Sequence, residues 1–263
     1  MTTYELLSDA LRSMRPVAFV TIIEGAGTGS KMLVELDGSS LGSLGDSDLD
    51  RVVARDALGE LAAGRSSTRH YGSHGEAREL DVSVFIESFA APPRFIIFGA
   101  VDFTAALANA AKLLGYVVTV CDARPPFATP QRFKMADEVV CEWPDKYLAR
   151  VGVELGQRDA VCVLTHDAKF DVPAIVGAVA TNVGYIGAMG SRKTHDKRVE
   201  RLLEAGLSDR EIARVMSPIG LDLGARTPEE VAVAICAEII VLRTNRKPLP
   251  LRDTSGPLHL ETR

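Results

Sequence analysis

Continuous apolar runs in the second half of the chain constrain its fold more than any other feature. The runs are FIIFG, YVVTV, DEVV, AVCVLT and VGYIG, and helical segments separate most of them. A strand that is apolar throughout is covered on both faces, as in parallel sheets that lie between two layers of helices. The sequence therefore predicts an α/β fold for this half, with a mostly parallel sheet and helices on both faces.

The first run opens a strand–helix–strand pattern, FIIFGAVDFTAALANAAKLLGYVVTVCDAR, at residues 95–124. This pattern is typical of Rossmann-like domains, in which the turn after the first strand reads G-x-G-x-x-G and binds a pyrophosphate. Here Gly99 is followed by Val101 and Thr104 where the second and third glycines belong. The branched side chain of Val101 and the carboxylate of Asp102 both oppose an anion, so bound NAD or NADP is possible but disfavoured.

One acidic residue still fits a dinucleotide site. Asp122 lies 23 residues after Gly99, at the end of the second strand, where an acid commonly binds a ribose 2′-hydroxyl. A purely structural alternative is that Asp122 caps a loop and that Asp102 caps the following helix. The residues alone leave both interpretations open.

The first ninety residues follow a different pattern. An amphipathic helix is followed by the strand-like runs VAFVTIIEG and KMLVELDG, a helical stretch, and the alternating strand LDVSVFIES. The stretch AAPPR at residues 90–94 forms a stiff, non-helical connection. We therefore predict a small α+β domain at 1–91, a Rossmann-like domain at 92–246 and a proline-containing tail at 247–263.

Net charge, the length of apolar runs and cysteine spacing argue against several classes of protein. The formal net charge is −5, which does not favour a nucleic-acid partner, and no apolar run approaches the roughly 20 residues of a membrane span. The N-terminus lacks the apolar core of a signal peptide. The four cysteines form no C-x-x-C pair, and Cys121 and Cys162 lie inside apolar runs. These features indicate buried thiols in a cytoplasmic protein, and no zinc site.

Two further segments contain candidate binding residues at the ends of predicted strands. In YIGAMGSRKTHDKR, a glycine-serine turn precedes a helix that begins with Arg192 and Lys193, so backbone N–H groups and cations together favour a phosphate or oxyanion site. Lys197 and Arg198 add further cations to the same helix, and the alternative is a tight turn with a solvated basic helix face. In VLTHDAKFD, His166 is a candidate proton carrier or metal ligand, or else a structural loop histidine.

Two loops leave simpler alternatives open. In PIGLDLGARTPEE, Asp222 and Arg226 either line the same crevice or pair with each other. In GSLGDSDLD, residues 42–50, an Asp or Ser N-cap for the next helix is the favoured interpretation. Capping boxes are also predicted at Ser208–Glu211 and Thr227–Glu230.

Taken together, these stretches resemble the XdhC/CoxI family of accessory proteins for molybdenum hydroxylases of the xanthine and CO dehydrogenase type. The most specific match is YIGAMGSRK followed by SPIGLDLGARTPEEVAVAICAEI, and VTVCDARPPFATPQRF, VLTHDAKFD and the N-terminal GSKMLVELDG are also similar. The resemblance implies a small XdhC/CoxI domain followed by a Rossmann-like domain. It implies a chaperone, rather than a turnover enzyme, that receives molybdenum cofactor, favours its sulfuration by a cysteine desulfurase and delivers it to the apo-hydroxylase.

The resemblance also implies a cofactor-binding site, for molybdopterin or its cytosine dinucleotide form, on the matching positions. These are Gly99, Ala100, Asp102, Asp122, Arg124, His166, Asp167, Gly187, Gly190, Ser191, Arg192 and Asp222. The sequence departs from the family at two motifs. The usual G-A-G-H-V-A turn is replaced at 99–104, and Asp48 stands where G-G-C-x-E has its cysteine. Asp48 is the candidate metal ligand, although a hard carboxylate cannot accept or pass on sulfur as a thiolate can.

Two alternative functions remain open at this point. One is an NAD(P)-dependent oxidoreductase, which needs a nicotinamide cofactor at the turn after Gly99. The other is a non-catalytic docking module that escorts the hydroxylase or a sulfurase. A homodimer is compatible with the sequence under any of these functions.

Overall fold

The protein is described by a computed structural model that covers residues 2–77 and 79–255. The described residues form two compact units, one of residues up to 91 together with 251–255, and one of residues 92–250. The first unit ends at Ala91, within the AAPPR stretch. Residues 256–263 of the predicted tail lie outside the described residues.

The N-terminal unit is an antiparallel sheet with the strand order β3-β2-β1-β5-β4. Its elements are α1 (Thr3–Arg12), β1 (Val17–Gly25), β2 (Lys31–Glu35), β3 (Ser40–Ser43), α2 (Ser47–Ala63), β4 (Ser67–Tyr71) and β5 (Val82–Phe89). The alternating pattern predicted for β5 is confirmed, because Val82, Val84 and Ile86 are all buried in the core beneath α2. Strands β3 and β4 were not predicted, since their sequences SLGS and STRHY are mostly polar.

The C-terminal unit is a six-stranded parallel sheet with the order β11-β10-β9-β6-β7-β8. Its strands are β6 (Arg94–Phe98), β7 (Val117–Cys121), β8 (Glu138–Val140), β9 (Ala160–Val163), β10 (Tyr185–Ala188) and β11 (Val215–Met216). Its helices are α3 (Asp102–Leu113), α4 (Pro144–Val151), α5 (Ala168–Val179), α6 (Arg192–Glu204), α7 (Asp209–Ile212) and α8 (Pro228–Thr244). The first strand lies in the middle and the chain winds outward in both directions, which is the Rossmann order. The predicted α/β class is confirmed.

Two separate apolar clusters show that helices cover both faces of this sheet. Phe95 and Ile97 of β6 point into a cluster that includes α3 and α8, whereas Ile96 and Phe98 point into one that includes α4, α5 and α6. The predicted burial of Cys121 and Cys162 is confirmed, because neither is exposed. No helix within the described residues is long and apolar enough to cross a membrane.

Candidate functional site

The strand order places a crevice at the carboxyl ends of β6 and β9. These two strands are neighbours, but the helices that follow them, α3 and α5, cover opposite faces of the sheet. Ligands of open α/β sheets bind where the winding direction reverses in this way. The segment Gly99–Val101 follows β6, and Leu164–Asp167 follows β9, so both predicted segments border the same crevice.

The turn after β6 is closed by the protein's own groups. The Thr104 hydroxyl donates to the Gly99 carbonyl at 2.6 Å and accepts the Val101 N–H at 3.1 Å. The Ala100 N–H donates to Asp122 Oδ2 at 2.7 Å, and the Gly99 N–H donates to the Cys121 carbonyl at 2.9 Å. Three consecutive N–H groups that a pyrophosphate would bind in a G-x-G-x-x-G turn are therefore already paired within the protein.

Asp102 does not serve as the cap of α3, so that structural alternative is wrong. The N-cap position is Val101, and Asp102 is the first residue of the helix, with its side chain exposed. Thr104 satisfies the N-cap N–H instead, and Asp102 is an acidic residue in the first turn of the helix.

Asp122 forms an ion pair with Arg124 instead of presenting a free carboxylate. Its Oδ1 accepts the backbone N–H and Nε–H of Arg124, both at 2.9 Å, and its Oδ2 accepts from the guanidinium at 2.7 Å. Burial by itself raises the pKa of Asp122, but the hydrogen bonds from Arg124 and Ala100 outweigh it, so the pKa lies below its usual value. The loop-capping interpretation of Asp122 is confirmed, and a ribose hydroxyl at this carboxylate would have to compete with the guanidinium.

A buried polar network supports the other side of the crevice. Arg198 of α6 donates to Asp171 of α5 at 3.0 Å, to the Met189 carbonyl at 2.7 Å and to the Ser217 hydroxyl at 2.9 Å. Asp171 also accepts the hydroxyl hydrogen of Thr165. Desolvation by burial raises the pKa of Asp171, although Thr165 and Arg198 act against it. The network ties together the segments that follow β9, β10 and β11.

Arg198 was placed on a solvated basic face by one interpretation of the sequence, and that placement is wrong. The residue is only 4% exposed. The spacing of residues along the helix could have predicted this burial. Arg198 lies four residues before Leu202, so both are on the same face of α6, and both are buried. A charged residue in a buried stripe indicates a paired, structural role.

His166 and Asp167 lie side by side at the mouth of the crevice, and both are exposed. Asp167 is the N-cap of α5, where it accepts the Lys169 N–H at 3.1 Å and pairs with the Lys169 ammonium at 3.3 Å. The hydrogen bond from the Lys169 backbone is the largest cause of a lowered pKa for Asp167. Within the described ranges, no hydrogen bond or ion pair joins His166 to Asp167 or Asp171, so the structure shows no prebuilt proton relay.

The start of α6 has the predicted glycine-serine turn followed by a helix. Ser191 is the N-cap and accepts the Thr194 N–H at 3.2 Å, with Gly190 directly before it. The side chain of Arg192 is exposed and makes no ion pair with any other described residue. Gly187 has a packing role, because a side chain there would overlap Ile219. Backbone donors and a free cation therefore occur together at this helix end.

Asp222 forms no hydrogen bond or ion pair with the other candidates among the described residues. It is exposed in the loop before α8, and in the part of the chain that the structure describes it pairs neither with Arg226 nor with any residue of the crevice. The Arg226 N–H instead donates to Glu230 at 2.7 Å, beside the predicted capping box at Thr227.

In the N-terminal unit, Asp46 is the N-cap of α2, as the favoured interpretation of GSLGDSDLD expected. It accepts the N–H groups of Asp48 and Leu49 at 3.0 and 2.9 Å. Asp48 itself is exposed and pairs with Arg51 at 3.1 Å. No group of three or more His, Cys, Asp or Glu side chains suited to a metal ion occurs among residues 2–77 and 79–255.

Asp46 also binds His74, and this contact should be measurable in the titration of His74. Their side chains are 2.8 Å apart, and the hydrogen bond to Asp46 is the main cause of a raised His74 pKa. We expect the His74 pKa to lie above about 6.5 by NMR, and Asp46→Asn to bring it back toward that value. Asparagine still caps the helix, so the fold is retained. Since the folded pKa is raised, the stabilisation is complete below the unfolded pKa and is lost as pH rises through the folded one.

The neighbouring acid provides the control for this titration. Asp48→Asn removes the same charge, but Asp48 is the least of the causes acting on the His74 pKa. Equal His74 pKa values in the wild type and in Asp46→Asn would contradict the assignment of the pair.

Two family models and several curated proteins match this chain. Residues 95–239 match the model of the XdhC Rossmann domain, and residues 10–72 match the model of the XdhC and CoxI family. The chain is 31% identical over 243 residues to a probable xanthine dehydrogenase subunit of Bacillus subtilis, covering 91% of this chain and 64% of that protein. It is 29% identical over 103 residues to the molybdenum cofactor insertion chaperone PaoD of Escherichia coli, covering 39% and 32%.

One solved structure is similar over nearly the whole chain. It is the crystal structure of a xanthine dehydrogenase from Bacillus halodurans, with a TM-score of 0.51, 22% identity, and coverage of 94% of this chain and 97% of that one. At this identity the likeness concerns the fold. The chain spans less than two thirds of the length of the curated relatives that it matches.

Proposed function

This chain belongs to the XdhC/CoxI family, and we propose that it acts as a maturation factor for a molybdenum hydroxylase of the xanthine or CO dehydrogenase type. The observation that carries the proposal is the match of both family models, in order, together with the similarity to a molybdenum cofactor insertion chaperone. In this role the molybdenum cofactor, as molybdopterin or its cytosine dinucleotide, is the cargo. The protein binds it, assists its sulfuration beside a cysteine desulfurase, and delivers it to the apo-hydroxylase.

The geometry of the crevice supports a carrier over a hydride-transfer enzyme. In the turn after β6, the N–H groups of Gly99, Ala100 and Val101 are bound internally, and Asp122 is neutralised by Arg124. An oxidoreductase that binds NAD(P) at this turn would need those donors and that carboxylate. A carrier has no such requirement, because it only has to hold and release its cargo.

The residues proposed to hold the cargo lie at the carboxyl edge of the parallel sheet. Ser191 and Arg192 supply a helix N-terminus and a cation for phosphate, which suits the phosphate of a pterin cofactor. Arg124, His166 and Asp167 border the same edge of the sheet. We retain Asp48 as a candidate oxygen ligand for molybdenum, and since it cannot carry sulfur, the sulfur would pass directly from the desulfurase to the cofactor.

The replacement of the family cysteine by Asp48 also favours a second candidate function. In that alternative the protein is a docking module that holds the hydroxylase and the sulfurase together without binding cofactor. It predicts a protein partner in pull-down experiments and no pterin in the purified chain.

Purification from cells that synthesise the cofactor tests the proposal. We expect the chain to carry pterin, detectable by its fluorescence after denaturation and oxidation, and Arg192→Ala to reduce the amount several-fold. Arg201→Ala removes an exposed arginine from the last turn of the same helix, away from its N-terminus, and should leave the pterin content unchanged. A pterin content no higher than that of an unrelated protein from the same cells would overturn cofactor binding.

Calorimetry with nicotinamide cofactors gives a further prediction. We expect no binding of NAD, NADH, NADP or NADPH at the turn after β6, so any heat up to millimolar concentration should be the same in the wild type and in Val101→Gly. Restoring the glycine removes a side chain, but it does not release the N–H groups held by Thr104 and Asp122. Saturable binding that strengthens in Val101→Gly would show that the turn is still a dinucleotide site.

A further inference from the structure

A row of aromatic rings and cations lies along the carboxyl edge of the parallel sheet, beside the crevice. The Trp143 and Phe170 rings are 4.8 Å apart with an interplanar angle of 33°. The Arg124 guanidinium lies 5.7 Å from the centre of the Phe170 ring and 4.6 Å from that of Phe127. The row therefore runs from Phe127 through Arg124 and Phe170 to Trp143.

These side chains come from segments that follow three different strands. Phe127 follows β7, Trp143 follows β8 and directly precedes α4, and Phe170 lies in the first turn of α5 after β9. Because the carboxyl ends of parallel strands meet at one edge, the segments converge there. The row is thus built by the topology of the sheet, and it lies at the edge where ligands of this fold bind.

The aromatic surface is only partly covered. Phe170 is 7% exposed, but Trp143 remains 41% exposed although one side of its ring packs against Phe170. Nucleobases and similar planar rings stack on such exposed aromatic side chains, and the stacking is tolerant of base identity. The exposed side of Trp143 offers a platform that already has its backing ring.

The charges around the row favour an anion. Arg124, Arg132 and Lys169 surround it, with Lys169 4.9 Å from the Phe170 ring and Arg132 5.6 Å from the Phe127 ring. Two carboxylates oppose them, since Asp122 pairs with Arg124 and Asp167 pairs with Lys169. Arg132 has no carboxylate partner among the described residues and donates only to the Phe127 carbonyl. The Lys169 pair is exposed on both sides, so a phosphate can replace Asp167 there at low cost.

We infer that Trp143, backed by Phe170, is a stacking site for a planar heteroaromatic ring that carries a phosphate, with Lys169 binding the phosphate. The inference rests on the proposed function for the identity of the cargo, in which such a ring occurs as the pterin and, in the dinucleotide form, also as cytosine. It places the ring-bearing end of the cargo at the loops after β8 and β9.

Trp143 is the single tryptophan of the chain, so the site carries its own reporter. We expect cytidine 5′-monophosphate to quench the Trp143 fluorescence saturably and inorganic phosphate not to quench it. Lys169→Met should weaken the binding of the nucleotide at least threefold and leave cytidine unaffected. Lys112→Met is the matched control, because Lys112 also pairs with an aspartate, Asp137 at 2.7 Å, but lies at the far end of α3.

A second arm distinguishes the two sources of the ring. Neopterin monophosphate is titrated by calorimetry, since its own fluorescence would obscure the tryptophan. Binding of the nucleotide assigns the site to the cytidine half of the cargo, and binding of the pterin alone assigns it to the pterin half. Trp143→Leu removes the fluorescent reporter, so both ligands are titrated into it by calorimetry, and it should weaken whichever ligand binds at least tenfold. Phe170→Leu provides an independent disruption of the same stack.

The outcomes separate this inference from the proposed function. Absence of binding for both ligands, or binding that is unchanged in Trp143→Leu and Phe170→Leu, overturns the stacking site whether or not the chain matures a hydroxylase. Binding as expected, in a chain that a hydroxylase does not need, retains the stacking site and overturns the maturation role.

Discussion

Replacing Arg198 with methionine is expected to lower the free energy of unfolding of the C-terminal unit by about 3–5 kcal/mol. The Arg198 and Asp171 side chains are each only 5% exposed, so the variant leaves a carboxylate buried without its cation. It also removes the donors to the Met189 carbonyl and the Ser217 hydroxyl. Chemical denaturation followed by circular dichroism measures the loss.

The pH dependence of this loss gives a second signature. The pKa of Asp171 is already raised by burial, and removal of the guanidinium raises it further. A raised pKa in the folded state makes folding take up a proton, so the stability of the variant recovers as pH falls through that pKa. The difference from the wild type should therefore shrink from neutral toward acidic pH.

An exposed pair provides the control for Arg198. Arg51→Met breaks the ion pair with Asp48, in which the side chains are 71% and 64% exposed, and should cost no more than about 1 kcal/mol. A loss below about 1 kcal/mol in Arg198→Met as well would show that the buried network does not hold this side of the crevice together.

Gly99→Ala is expected to produce the second large effect. Gly99 has a φ of +112°, which strains any other residue by about 1–3 kcal/mol. A Cβ atom there would also lie 2.6 Å from Thr165 Cγ2 and 3.1 Å from the Thr165 backbone nitrogen, which adds an overpacking cost of about 1–3 kcal/mol. Chemical denaturation followed by circular dichroism measures the total loss of stability from strain and overpacking.

Gly115→Ala separates the two costs. Gly115 lies in the same unit with a φ of +82°, but a side chain there would meet no atom within 4 Å. It reports the strain alone, so Gly99→Ala should cost more by the overpacking against the segment after β9. Equal costs for the two variants would show that β6 and β9 do not approach as closely as the structure has them.

Most of the fold could be predicted because it depends on burial. The apolar runs of β6, β7 and β9 specify strands covered on both faces, and the capping boxes at Ser208 and Thr227 are formed as predicted. Strands β3 and β4 could not be recognised, since their pairing at the sheet edges is through backbone groups and their side chains carry no alternating pattern.

The candidate site could be predicted only in part because its chemistry depends on which groups are already paired. The sequence located Gly99, Asp122 and Arg124 at one edge of a sheet, and the glycine pattern raised doubt about a dinucleotide. It could not show that the Thr104 hydroxyl closes the turn or that Arg124 neutralises Asp122, because both contacts arise from the three-dimensional course of the turn.

The aromatic row was missed for a different reason. Phe127, Trp143 and Phe170 are widely separated along the chain and belong to no common motif. The signal that could have found them is their placement shortly after three successive predicted strands, since such positions converge at the carboxyl edge of a parallel sheet.

The specific activity of a molybdenum hydroxylase, made with and without this chain in cells that synthesise the cofactor, tests the maturation role most directly. The amount of hydroxylase polypeptide is measured in parallel. We predict that without the chain the hydroxylase polypeptide accumulates normally while its activity falls to a small fraction, and that supplying the chain restores the activity. A fully active hydroxylase in the absence of the chain would contradict the account.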